Sequence, residues 1–141
     1  MVYREINNPF KALVFHEEIV SSTMDVSKRL AGERALHGTV VLADFQEAGR
    51  GRGQNRSWEM GRGEGLSFTI FLRYSSISEI PAALTLRAGL AVALAIEDFV
   101  PDLQNKIKVK WPNDILINDK KAAGILCEAD GGMFFLGLGL M

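Results

Sequence analysis

The chain alternates short apolar runs with segments that carry a helical period. Residues 11–17, KALVFHE, are a compact apolar run that predicts a first strand. The segment SSTMDVSKRLAGERALHG then opens with a helix-start signal. Ser22 or Thr23 can cap it, and Asp25 sits favourably against the positive end of the helix dipole. Met24, Leu30 and Ala31 give that helix a partly apolar face, and Gly38 follows its end. TVVLADF at 39–45 is β-branched and apolar, which predicts a strand buried on both faces. LSFTIFLRY at 66–74 predicts another strand.

From residue 78 to 100 the pattern becomes rich in Ala and Leu. It predicts a long, largely buried helix capped by Ser78, with Pro81 in its first turn. KIKVKWP at 106–112 alternates Lys with apolar residues, the period of a half-buried strand. PNDILIND predicts a turn and a strand, with Asn118-Asp119 as a hairpin turn. KKAAGILCEADGG and MFFLGLGLM predict two final strands joined across residues 130–132. These elements make one α+β domain over residues 1–141: a mixed, largely antiparallel sheet packed with two helices.

Composition narrows the class. The 141 residues are 48% hydrophobic and 23% charged, as in a soluble globular protein. A net charge of −1 argues against a dedicated nucleic-acid binder. The one cysteine, Cys127, excludes an intrachain disulfide framework and reads as a core residue of a reducing compartment. The N-terminus lacks a secretory pattern, and the longest apolar segment, 80–100, contains Arg87, Glu97 and Asp98, which argues against a membrane span. A cytoplasmic protein is expected.

The candidate chemistry begins in QEAGRGRGQNRSWEMGRGEGLSF, residues 46–68. Gly49, Gly51 and Gly53 can bring backbone N–H groups close to a ligand, and Arg50, Arg52 and Arg56 offer planar forks suited to carboxylate or phosphate. The segment is neither a P-loop, for want of Gly-Lys-Ser/Thr, nor a dinucleotide fingerprint. Taken alone, a Gly/Arg segment reads more readily as a solvated surface loop. In KWPNDI, Lys110, Asn113 and Asp114 stand at a strand end and turn, and Asp114 could hold Mg²⁺ through water. The plainer reading is an amphipathic strand with Lys106, Lys108 and Lys110 in solvent. In KKAAGILCE, Lys121 precedes Ala122, Ala123 and Gly124, small residues that leave room for a ligand; two solvated lysines on a hairpin edge are the alternative. His16 and His37 have no partner pattern and read as structural.

Together, and in this order, SST, QEAGRGR with a following Trp, KWPND, KKAAGIL and GLG resemble the biotin protein ligases. The likeness spans about residues 16–140. It implies the catalytic fold that these enzymes share with lipoate ligases and octanoyltransferases. The Arg-Arg, Gly-Gly-Gly and His-Asp segment of the lipoate enzymes is absent here, so biotin is favoured. The resemblance implies that ATP activates biotin, with Mg²⁺, to biotinyl-5′-adenylate. Biotin is then transferred to a lysine of the biotin-carrier domain of a biotin-dependent carboxylase.

By motif position, the resemblance assigns Ser22, Thr23 and Gln46 to the polar end of biotin, with Gly49 and Arg50 beside them and Trp58 as a wall. Gly124 and Gly137 would give the ring close approach. Arg52 and Arg56 would face the phosphate, Asn113 the adenine and Asp114 the metal. Lys121 would bridge carboxylate and phosphate as the catalytic lysine, with Lys110 and Arg52 in support. A homodimer is compatible with the resemblance; a nucleic-acid or membrane partner is not expected.

The chain also departs from the family pattern. The Gly/Arg loop is about one residue longer than usual, which touches the assignment of Arg56, and Met141 stands where an Asn is common. The helices and small C-terminal β domain of full members, and an N-terminal helix-turn-helix, are not in the sequence. A C-terminally short catalytic domain is the main expectation. A biotin-binding fragment with little ligase activity, or a lipoate-type acyltransferase, are the alternatives.

Overall fold

The computed structural model describes residues 2, 3 and 5–141. Ten elements follow one another along the chain: β1 (Val2–Tyr3), β2 (Val14–Val20), α1 (Thr23–Gly32), β3 (Val40–Gln46), β4 (Leu66–Arg73), α2 (Leu84–Phe99), β5 (Ile107–Lys110), β6 (Asp114–Ile117), β7 (Lys120–Asp130) and β8 (Met133–Leu140). The strands form one sheet in the order β1-β2-β3-β4-β8-β7-β6-β5. Its only parallel pair among the described residues is β2–β3, because α1 carries the chain back between them. The other pairs are antiparallel, as expected.

Each helix covers a different face. Met24 and Ala31 of α1 bury Phe71 and Phe135, whose rings stack at 5.3 Å. Ala88, Val92 and Ile96 of α2 pack on the opposite face against Ile115, Ile125, Phe134, Leu136 and Leu138. The two-residue period of β8 divides these cores. Phe134, Leu136 and Leu138 point to α2, so Phe135, Gly137 and Gly139 point to the α1 side. Past the end of α1, that side offers glycines where a core would otherwise continue.

The predictions for three elements are corrected. The strand expected over 11–17 is β2 and begins at Val14, since Lys11 closes a turn with φ 55 and donates its N–H to the Asn8 carbonyl at 2.8 Å; the short β1 before it was not expected from the sequence. α2 begins at Leu84, not Ser78: Ile80 precedes Pro81 and is held extended at φ −64, ψ 123. Ser78 meets the Ser76 hydroxyl at 2.8 Å, and left-handed Ala83 starts the helix without a side-chain cap. Nor is α2 largely buried: Gly89 and Ala93 are, while Leu86, Leu90 and Leu94 form an exposed stripe. β3 is fully buried on one face only, through Val41 and Ala43; the residues of its other face are half-buried. The Asn118-Asp119 turn forms as predicted, with φ of 51 and 63.

Candidate active site

A cavity opens on the α1 side of the sheet, between the helix N-terminus, the Gly/Arg loop and strands β4, β8 and β7. Its polar end is built by α1. Ser22 is the N-cap, extended at φ −158, and its hydroxyl oxygen accepts the Met24 N–H at 3.2 Å. The next orphan donor, the Thr23 N–H, is taken by Gln46 Oε1 at 2.8 Å. This bond orients the amide: its oxygen belongs to the helix, so its NH₂ is the part left for a ligand. Thr23 Oγ1 lies 3.2 Å from the same oxygen and 2.9 Å from Thr69 Oγ1. Ser22, Thr23 and Thr69 are all buried. The cavity end therefore presents a hydroxyl and an amide donor, a set suited to a neutral carbonyl acceptor.

The floor follows from register. Gly124 of β7 pairs with Gly139 of β8, which pairs with Ser67 of β4, which pairs with Ala43 of β3. Residues directly opposite share a face, so these four make a flat row of small side chains. The Trp58 indole lies on that row. A Cβ at Gly139 would stand 2.2 Å from Trp58 Cε2, and one at Gly124 would stand 3.1 Å from Cζ3. The loop that delivers Trp58 is internally bonded, Trp58 N–H to Gly49 O and Gly51 N–H to Arg56 O, both at 2.8 Å. Gly49 sits too close to the Trp58 carbonyl, 2.3 Å from an added Cβ, for any side chain.

Lys121 reaches this face through an irregularity. It lies three residues before Gly124, and strict alternation would send it to the other side. The β6–β7 register, however, passes from Ile115↔Ala123 to Leu116↔Lys121, leaving Ala122 as the extra residue of a bulge. The bulge re-aims Lys121 beside Gly124, where an added Cβ would lie 3.5 Å from Lys121 Cε. Its ammonium stands 3.0 Å from Asp114 Oδ1 and 5.4 Å from the Trp58 ring centroid. Asp114 Oδ1 is buried without a well-aligned hydrogen bond, so the lysine is its charge partner. Among the described residues no group of three or more His, Cys, Asp or Glu side chains converges into a metal cage. Asp114 could serve only as the single protein carboxylate of an ion that arrives with phosphate.

The cavity gathers Ser22, Thr23, Gln46, Arg50, Arg52, Arg56, Trp58, Asn113, Asp114, Lys121, Gly124 and Gly137, all singled out from the sequence. Two others stand outside its lining. Gly49 is the loop root, and Lys110 is exposed on the edge strand β5, opposite Asp114 in register. Arg52 and Arg56 are exposed on the loop. Sequence reasoning missed Met24, Thr69 and Leu126, which also line the cavity. Thr69 had a signal, a hydroxyl within the apolar run FTIF of β4. His16 is buried and stands 2.8 Å from the half-exposed Asp44 carboxylate, His37 accepts the Arg73 N–H at 3.0 Å, and neither lines the cavity. Burial pushes the Cys127 thiol up, against a smaller opposing effect of a hydrogen bond with Thr85, so it stays a neutral thiol at pH 7.

Residues 17–137 match the biotin/lipoate A/B protein ligase family. A curated relative, the bifunctional ligase/repressor BirA of Bacillus subtilis, is 43% identical over 116 residues, 82% of this chain and 34% of that protein. The biotin protein ligase of Leishmania major, solved with biotin, superposes with a TM-score of 0.79 at 31% identity, covering 90% of this chain and 55% of that one. The Aquifex aeolicus enzyme, solved with biotin and ATP, gives 0.73 at 31% identity, covering 93% and 52%. The chain thus spans about a third of the curated relative and little more than half of the solved ones. No helix among the described residues is long and apolar enough to cross a membrane.

Proposed function

Because the chain belongs to the biotin/lipoate A/B protein ligase family, we propose that it activates biotin with ATP and passes it to a lysine of a biotin-carrier domain on a carboxylase. In the first half-reaction a biotin carboxylate oxygen bonds to the α-phosphorus, and the bond to the departing pyrophosphate breaks. In the second, the acceptor amine bonds to the acyl carbon, AMP leaves with the bonding electrons, and the amine loses a proton.

The position of Lys121 carries this reading. Its ammonium stands between the glycine floor and the Asn113-Asp114 turn, where a carboxylate and a phosphate would have to meet. Two anions repel, and a fixed cation between them lowers that repulsion most as the new bond forms. Asp114 holds the ammonium in place until substrate arrives. Arg52 and Arg56 are exposed and free to fold down on phosphate oxygens. Mg²⁺ arriving with ATP would add charge neutralisation, with Asp114 as its protein carboxylate. At the other end, the Gln46 NH₂ and Ser22 hydroxyl would donate to the carbonyl of the biotin ring. The Trp58 indole and the flat floor would enclose the ring and keep water from the mixed anhydride. Asn113 remains the proposed adenine contact, and Lys110 a supporting charge at the rim. ATP chemistry and a single thiol fit the cytosol.

Calorimetry with biotin, lipoate and ATP separately, followed by pyrophosphate release with biotin and ATP together, tests the proposal. Biotin binding without lipoate binding, and pyrophosphate release that needs both substrates, are expected. Tight lipoate binding would overturn the assignment of substrate.

A further inference from the structure

The geometry points to Asp25 and Glu128 as positioning residues that hold the Gly/Arg loop at its root through Arg50. Asp25 lies in the first turn of α1 and Glu128 in β7, on either side of the loop. One guanidinium nitrogen of Arg50, Nη2, donates to Asp25 Oδ1, and the other, Nη1, stands 3.8 Å from Glu128 Oε1. Glu128 is itself held, because its second oxygen accepts from Lys28 Nζ. Lys28 in turn stands 5.9 Å from the ring centroid of the buried Phe135. Arg50 is therefore caught between two regular elements by two carboxylates, and with Lys28 the four charges balance.

Asp25 and Glu128 do not line the cavity, so whatever they do for a ligand passes through Arg50. The loop can transmit it. Arg50 bridges to Ser57, Gly49 accepts the Trp58 N–H and Arg56 accepts the Gly51 N–H, so residues 49–58 behave as one hairpin-like piece. Holding its root settles where the Trp58 indole meets Gly139 and where Arg52 and Arg56 hang. The side chains of Arg50, Asp25 and Glu128 are 39%, 49% and 29% exposed, so each pair is individually weak and screened by salt. That suits a latch that must open for substrate and product.

The test uses the full chain with Asp25→Asn, Glu128→Gln and the double variant, which keep shape and remove charge. Without any ligand, trypsin cleavage at Arg50, Arg52 and Arg56, followed by mass spectrometry, should accelerate about two- to tenfold in the double variant. High salt should accelerate cleavage in the wild type and add little in the double variant, and Asp25→Glu should restore the slow rate. The kinetic consequence rests on the ligase reading: KM for biotin rises about two- to tenfold while kcat stays within about twofold. Wild-type cleavage rates in the double variant, indifferent to salt, would overturn the latch. Should the variants not fold, salt dependence of cleavage in the wild type decides it: acceleration supports the latch and its absence overturns it. A wild-type chain that binds no biotin would instead sink the ligase reading and leave the digestion result standing.

Discussion

Lys121 faces the cavity because Ala122 is an extra residue in β7, and among the described residues its charge meets Asp114 and the Trp58 face there. Replacing it tests the proposed chemistry directly. Lys121→Ala should cut the rate of pyrophosphate release by about 10²–10³ with the fold intact by circular dichroism, the usual loss for a transition-state cation. An unchanged rate would return Lys121 to the role of a hairpin-edge lysine. Gly139 tests the floor. Its added Cβ would stand 2.2 Å from the indole, a side-chain clash that swinging Trp58 outward relieves. Gly139→Ala should therefore leave the melting temperature nearly unchanged, red-shift tryptophan emission, and cost about 1–3 kcal/mol of biotin affinity by calorimetry.

At the scale of elements, the loop 49–58 is an internally bonded piece held to the rest of the site by Arg50 and by the Trp58 ring. A ligand under Trp58 adds contacts to the closed position and shifts the loop toward it. Biotin with ATP, or a stable adenylate analogue, should slow tryptic cleavage at Arg52 and Arg56 relative to the free chain, while Arg87 on α2 serves as an internal reference. Equal cleavage with and without ligand would remove the loop from the role of lid. Arg52→Gly should release the activated acyl group, seen as biotin on lysines of an unrelated bystander protein. α2 contributes differently. It supports the sheet from the far face and leaves Leu86, Leu90 and Leu94 in solvent.

For the whole molecule, the two cores meet back to back through β4 and β8, and the glycine-rich side of β8 is where the α1 core gives way to the cavity. Phe71 anchors that boundary at 0% exposure, stacked on Phe135. Phe71→Ala should destabilise the chain by about 3–5 kcal/mol in urea unfolding. It should also weaken biotin binding, because Met24, in the first turn of α1 beside the N-cap, packs in the same cluster. A loss of stability without loss of affinity would show that the polar end of the cavity is held independently of this core.

What the sequence determined by itself were the properties that depend on neighbours along the chain. Asn118-Asp119 announced a turn because few residue types tolerate two consecutive positive φ values. Ser22 and Thr23 announced a helix start because the orphan N–H groups need oxygen partners. Ile80-Pro81 also had its signal, a pre-proline restriction that outweighs the helical composition around it, and the long-helix expectation underweighted it. The spacing of the loop, KWPND and Lys121 was legible as a family resemblance, and all but Gly49 and Lys110 of the expected site residues line one cavity.

The remainder needed tertiary structure. Alternation along β7 puts Lys121 on the wrong face, and only the pairing with β6 reveals the bulge that turns it round. Which side of β3 and α2 is covered depended on where the helices docked, since composition reports apolarity without a direction. Asp25, Arg50 and Glu128 meet from α1, the loop and β7, and no local pattern connects them. Charge pairing across such sequence distance exists only once the sheet has set the register, because a Coulomb interaction depends on separation in space and not along the chain.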